Sequence, residues 1–471
     1  MKNKSLLWYR QDLRIHDNEA LYEALRWNNE VIPVFVFDSR LFRGYSRFGN
    51  RRIHPLRAKF IIESIIALRE TWREMGSDLI VRVGPPEQVV FELAKEFKTS
   101  MVFCNRERTR DEVNIQDQLE QNLWTIGQEM RFTRGKMLYY TQDLPFPVTH
   151  TPDNFTIFRK ELERIVPVRA ALPMPDSISP IIQSFDPGTI PSLQQLGYTS
   201  ELTDVVSIFK GGEQEGLKRL KEYIWAGDGL RKYKSRENSI SDPLFSSMFS
   251  PWLSMGCISP KAVYHEIKSY ESIRGSNEGT QSLITELLRR DHCRLIAKKY
   301  GNKIFLRGGI TQKKHDSNPE EKYVFKIWQQ GRLGIPLIDA SMTALAKTGF
   351  LPFPLRNACA QFLIHSLKVN WQRGADWYEA NLIDYDPASN WVNWMALAGL
   401  LPDTIEEKPV SINFLNKKYD PHGKFIREWL PSLNNIPESK IFHPETLTDE
   451  EQAMYGFKPG KHYPRPVVGV G

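Results

Sequence analysis

Val31-Ile32-Pro33-Val34-Phe35-Val36-Phe37 carries no charged or polar side chain. An apolar run of this kind reads as a strand buried on both faces of a sheet. Ser5–Tyr9 (SLLWY), Asp78–Val83 (DLIVRV) and Ser100–Cys104 (SMVFC) have the same character on either side of it. Between these runs, Asn18–Trp27, Ile53–Met75 and Pro86–Phe97 carry helical patterns. Strands alternating with helices predict an α/β domain over residues 1–134: a parallel, doubly wound sheet with helices on both faces. Such sheets take ligands at the carboxyl ends of their strands. No GxGxxG follows the first strand, so the dinucleotide fingerprint is not indicated.

Residues 135–205 are rich in Pro, Ser and Thr (LPFPVTHTPDN, LPMPDSISP, FDPGTIPS) and read as a connector crossing the surface. One helix, Phe155–Ile165, interrupts it. From 206 to 433 the pattern is helical: GGEQEGLKRLKEYIWAG, PKAVYHEIKSY, TQSLITELLRRDHCRLIAKKYG, EEKYVFKIWQQG and PLIDASMTALAKTG each end near Gly or a polar break. This predicts a second domain that is all-α. After Pro421 the chain reads as loop-rich, with residues 434–471 a tail that ends flexibly.

The 471 residues suffice for two or three domains, and 41% hydrophobic with 25% charged fits a globular protein. No apolar run is long enough to span a membrane. The N-terminus is too polar after Trp8 for a signal-peptide core, so the cytoplasm is the default compartment. Cys104, Cys257, Cys293 and Cys359 lie far apart with no CxxC, which points to buried free thiols and no metal. A net charge of +7 permits contact with nucleic acid without establishing it.

The densest chemistry lies in Asp384-Tyr385-Asp386-Pro387-Ala388-Ser389-Asn390-Trp391-Val392-Asn393-Trp394, with Trp371 upstream. Acid and amide side chains can hold a polar heterocycle, and paired indoles can relay an electron to it. Taken alone, DYDPASN also reads as an Asx-rich helix cap, and any single Trp as core.

Several long motifs, in order, resemble the photolyase/cryptochrome family over residues 5 to 433: WYRQDLRIHDNEAL, FKGGEQEGLKRLKEYIW, YKSRENSISDPLFSSMFSPWLSMGCISP, KKYGNKIF, GRLGIPLIDASMTALAKTGF and YDPHGKFIREWLPSL. The last, with LYYTQDLPFPVTHTPDNFTIFRK, is most like the cryptochrome DASH branch. The resemblance implies an all-α FAD-binding domain. Tyr233, Ser246, Ser247, Phe249 and Ser250 match positions for the FAD phosphates, with Met248 where the family often has a cation. Arg290 matches an Arg close to FAD, and Arg356 one that pairs with Asp384. Asp386 and Asn390 match positions facing the isoalloxazine ring. Trp394 and Trp371 match the first two members of an electron-transfer chain. Its third falls near Lys314–His315, with Tyr323 or Trp328 as replacements.

Glu286 matches the acid that touches damaged bases, but the rest of that side departs. Arg289 stands for a Trp, Phe353-Pro354 for Asn-Arg, and Ala396 for an aromatic. Losing two base-stacking aromatics weakens dimer binding, at about 1–3 kcal/mol per base, and Arg289 could partly compensate. Glu107 resembles an acid that contacts a folate antenna (methenyltetrahydrofolate), with Asn105 beside it at a strand end.

The activity implied is that of a deoxyribodipyrimidine photo-lyase. Light-driven electron transfer would repair cyclobutane pyrimidine dimers, in single-stranded DNA where flipping costs least. DNA is the implied partner of a monomer, with no membrane. The altered lesion side motivates a second reading, a non-repairing photoreceptor. A flavin-free α/β nucleotide-binding protein is the third.

Overall fold

The computed structural model describes residues 4–27, 30–175, 178, 185–199, 205–233, 240–242, 244–313, 318–402 and 411–467. Five parallel strands form the sheet: β1 (Lys4–Tyr9), β2 (Glu30–Asp38), β3 (Ile80–Gly84), β4 (Met101–Asn105) and β5 (Glu129–Thr133). Their order is β3-β2-β1-β4-β5, with Leu6 beside both Ile32 and Val102. The chain builds outward from β1 on one side, then crosses back to build outward on the other. That reversal makes a topological switch point at the carboxyl end of β1.

The apolar run of β2 divides by pleat, since successive side chains face opposite ways. Val31, Phe35 and Phe37 join the core under α1 (Glu19–Trp27) and α3 (Pro55–Glu74), beyond the short α2 (Ser39–Phe42). Ile32, Val34 and Val36 join the core under α4 (Pro86–Phe97) and α5 (Arg110–Trp124). The sheet is therefore doubly wound, as the alternation predicts. Besides the one-turn α2, two elements escape the sequence reading. Edge strand β5 exposes Glu129 and Arg131, and its five residues are too few to establish a period. Helix α5 has a largely polar surface.

The connector contains α6 (Phe155–Ile165) as expected. Its first part does not cross the surface, however. Met137, Leu138, Tyr139 and Tyr140 are buried. The backbone N–H groups of Leu138 and Tyr139 donate to the Asp291 carboxylate at 3.1 and 2.9 Å. A buried backbone needs such partners, and these come from the far domain, where no local pattern reveals them.

The second domain is helical throughout: α7 (Glu213–Lys221), α8 (Ser250–Met255), α9 (Pro260–Arg274), α10 (Glu278–Tyr300), α11 (Glu321–Gln329), α12 (Pro336–Thr348), α13 (Phe353–Gln361), α14 (Trp371–Asn381), α15 (Pro387–Leu397), α16 (Ile412–Tyr419), α17 (Lys424–Trp429) and α18 (Asp449–Tyr455). Asn277 caps α10 in a reciprocal capping box with Thr280. The stretch after Pro421 is more ordered than expected. It carries α17 and α18, and Leu433, Ile436, Ile441, Phe457 and Tyr463 are buried in the helical core. Residues 468–471 lie outside the described residues.

The two domains are tied by buried polar contacts. Arg14 donates to the carbonyls of Gly256 at 2.8 Å, Asp17 at 2.9 Å and Gly135 at 2.9 Å. Lys261 meets Asp17 at 2.7 Å. Gly256 has φ +68, and a Cβ there would lie 2.2 Å from the Gln11 carbonyl oxygen, so only glycine permits this approach.

Candidate functional site

Helices α14 and α15 pack together and present the acid–amide–indole stretch. Asp386 caps α15: its Oδ1 accepts from the Ser389 N–H at 2.9 Å and the Ser389 hydroxyl at 2.9 Å. Its Oδ2 accepts from Arg294. The cap and the charged partner are therefore the same residue. Asp384 accepts from Arg356 at 2.7 Å through Oδ2, while its buried Oδ1 meets no donor among the described residues. Asn390 donates from Nδ2 to the Ala375 carbonyl at 2.9 Å. Its Oδ1 is left as the acceptor for a ligand, since no donor meets it among the described residues. Trp394 and Trp371 are both buried. A Cβ at Gly374 would fall 2.2 Å from the Trp394 indole, so that ring rests directly on α14 backbone.

A chain of buried charges runs from α15 to the sheet. Arg294 joins Asp386 to Glu107, 3.9 Å away, and Glu107 also pairs with Lys136. Burial alone would raise the Glu107 carboxyl, but Lys136, Arg10 and Arg294 outweigh it and hold it below the ordinary range. Burial pushes Lys136 down to about 8 despite Glu107. Arg290, one helical turn before Arg294, donates to the carbonyls of Lys136 and Leu253. Burial and neighbouring Arg294 push it down to about 10.

Glu107 also lies on the wall of a cavity of about 370 Å³ at the switch point. Trp8, Arg10, Phe35, Arg52, Tyr385 and Trp391 are among its lining residues. Aromatic faces and charged groups together suit a planar, polar ring system.

Two family models match this chain. One is described as DNA photolyase and covers residues 5–176; the other is described as the FAD binding domain of DNA photolyase and covers residues 283–471. The cryptochrome DASH of Gloeobacter violaceus is 40% identical over 99% of this chain and 93% of its own length. That of Synechocystis sp. is 38% identical, over 98% and 94%. The chain belongs to the photolyase/cryptochrome family. A crystal structure of the Synechocystis cryptochrome matches with a TM-score of 0.94 at 38% identity, covering 100% of this chain and 97% of that one. A class III photolyase from Agrobacterium tumefaciens matches at 0.87 and 25%, covering 100% and 95%. An archaeal photolyase from Sulfolobus tokodaii, solved with two FAD molecules, matches at 0.79 and 26%, covering 99% and 96%.

Within a photolyase/cryptochrome frame, the structure sorts the sequence-derived residues. Arg356–Asp384, Asp386, Asn390, Trp394 and Trp371 gather around α14 and α15, with Arg290 and Arg294 on α10 beside them. The backbone carbonyls of Ser246 and Ser247 hold Arg219. Met248 has φ +57, Phe249 is buried, and Ser250 begins α8. Tyr233 accepts from the Ser282 hydroxyl at 2.9 Å. The uncommitted Asp384 Oδ1 and Asn390 Oδ1 fit the donor groups of a flavin ring.

Of the residues expected to face damaged bases, Glu286 and Arg289 lie 3.9 Å apart and half-exposed. The Arg289 guanidinium sits over the Phe155 ring at 4.3 Å. Phe353 is exposed and Ala396 half-buried. Asn105 is committed to Asp12, Thr133 and Gly135, so it holds the strand end and is not free for a ligand. Of the third relay position, 314–315 lies outside the described residues. Tyr323 is exposed, and Trp328 packs beside Trp394 with ring centroids 6.5 Å apart.

Sequence reasoning missed Arg294, Lys136 and the cavity itself. Arg294 had a signal: it stands four residues after Arg290, on the same helix face. Lys136 had none, because its burial comes from the connector's inward path. The four cysteines are buried and unpaired. Among the described residues no helix is long and apolar enough to cross a membrane, and no cluster of metal-ligating side chains occurs.

Proposed function

We infer that this protein is a DASH-type photolyase that repairs cyclobutane pyrimidine dimers in single-stranded DNA, using FAD. When bound, FAD supplies the light absorption and the electron that splits the dimer. The chain's part is to hold and orient. Arg356 fixes Asp384, Arg294 fixes Asp386 at the head of α15, and Ala375 fixes the Asn390 amide, so the acceptors facing the flavin are set before it binds. The observation carrying this reading is Asp384 Oδ1, a buried carboxylate oxygen without a donor among the described residues. Such an atom is costly unless a ligand N–H or O–H meets it.

On the DNA side, Arg289, half-exposed over Phe155, offers a cation to a phosphate or a base face. A folate antenna is assigned to the switch-point cavity, with Glu107 at its wall. The Sulfolobus tokodaii relative, which holds a second flavin, supports a second chromophore as such.

The test uses FAD-loaded, photoreduced protein and an oligonucleotide bearing one cyclobutane dimer, as single strand and as duplex, under blue light. Repair of the single strand is expected. Protein that holds FAD and photoreduces yet leaves both substrates intact is a photoreceptor, the second reading, which the replacements Arg289, Phe353-Pro354 and Ala396 favour.

A further inference from the structure

Trp371 does not end at solvent. Its ring lies 5.7 Å, centroid to centroid, from that of Trp391, at 75°. The Trp371 indole N–H is bound to the Arg307 carbonyl at 2.9 Å, a group that cannot take up a proton. Trp391 is placed differently. Its indole N–H donates to the Tyr385 hydroxyl at 3.2 Å, and that hydroxyl donates to Glu379 Oε2 at 2.8 Å. The other Glu379 oxygen accepts from Arg52 at 3.1 and 3.2 Å, which holds the carboxylate in this position. Trp391, Tyr385 and Glu379 all line the switch-point cavity.

Resting on the flavin reading above, we propose that Trp391, Tyr385 and Glu379 terminate the electron-transfer chain: the hole passes from Trp371 to Trp391 and is trapped on Tyr385 as its proton moves to Glu379. The oxidant is the light-excited flavin, acting through Trp394 and Trp371. In the last step one electron passes from Tyr385 to the Trp391 radical cation, restoring the neutral indole. The O–H bond of Tyr385 breaks and its proton bonds to Glu379 Oε2. A neutral tyrosyl radical and a carboxylic acid result, and the reverse transfers restore both groups.

Two features favour coupling of electron and proton. Burial and the neighbouring Glu379 raise the Tyr385 phenol well above its ordinary range, so a free phenolate is not available beforehand. The phenol is already hydrogen-bonded to its acceptor, so the proton needs no rearrangement to leave. The Arg57 guanidinium, 5.0 Å from the Tyr385 ring, disfavours a lasting positive charge there, which the neutral radical avoids.

The experiment is time-resolved absorption and electron paramagnetic resonance on the FAD-loaded protein after a blue flash, in H2O and D2O. The expected late signal is a tyrosyl radical whose formation slows in D2O. Tyr385→Phe should replace it with a shorter-lived tryptophanyl radical. Glu379→Gln keeps a hydrogen-bond acceptor but no proton acceptor, and should abolish both the tyrosyl signal and the isotope effect. Trp391→Phe should abolish the tyrosyl signal while early oxidation of Trp394 persists. A tryptophanyl radical in the parent protein, unchanged in lifetime by Trp391→Phe and Tyr385→Phe, overturns the proposal and leaves the flavin reading intact. Photoreduction unaffected by Trp394→Phe likewise overturns the proposal alone, whereas absence of bound flavin overturns the flavin reading itself and this proposal with it.

Discussion

Asn390 shows how the fold commits one end of a side-chain amide and leaves the other unpaired among the described residues. Because its Nδ2 is committed to the Ala375 carbonyl, its oxygen is the atom left to accept. Replacing the amide by a carboxylate sets an oxygen against that carbonyl and adds a buried charge. Asn390→Asp should therefore lower stability by about 1–3 kcal/mol, read as a fall in the urea midpoint at neutral pH. An unchanged midpoint would mean that the contact between the Asn390 amide and the Ala375 carbonyl does not support the fold. At this scale the sequence was informative about residue types and poor at roles. Asp386 reads as cap or as site residue; one of its oxygens caps α15, and Arg294 reaches the second. Glu107 reads as an antenna contact, but how many cations surround it depends on a lysine 29 positions away, brought in by the fold.

Helix α3 carries a pH-sensitive terminus. His54 is its N-cap: Nδ1 accepts from the Leu56 N–H at 3.3 Å, which requires the neutral ring. Burial, then Arg57, pushes His54 down from 6.5 to about 4. In the unfolded chain the ring protonates near 6.5, so between about 6.5 and 4 the unfolded state binds more protons. Stability from this group is complete above the unfolded value and is lost as pH falls through that window. The loss is about 1–3 kcal/mol at the acid end. His54→Asn keeps a capping oxygen and removes the titration. Denaturant melts at pH 7 and pH 4.5 should show a smaller difference for the variant than for the parent, and equal differences would refute the assignment. Elements of this kind are legible in the sequence where punctuation is strong, as with α4 and α6. The five-residue β5 is not, since its residues become a strand only by pairing with β4.

Across the whole molecule, the C-terminal stretch closes on the helical domain. The Tyr463 hydroxyl donates to Asp339, whose carboxylate also accepts the backbone N–H groups of Leu333, Gly334 and Ile335. Burial pushes Asp339 up to about 6 even with these donors. Tyr463→Phe removes one of them and should cost about 1–3 kcal/mol. Limited proteolysis within residues 434–467 should become faster, and cleavage at the parental rate would show that the contact does not hold the segment. The α/β-then-α division, the doubly wound sheet and the acid–amide–indole stretch were present in the sequence, because they rest on local periodicity and on residue types within a few positions of one another. The inward path of the connector, the docking of the tail, the Glu107–Arg294–Asp386 chain and the Trp371–Trp391–Tyr385–Glu379 line were decided only by tertiary structure. Each joins residues distant in sequence, and a hydrogen bond or ring contact between such residues exists only once burial has brought them within a few ångströms.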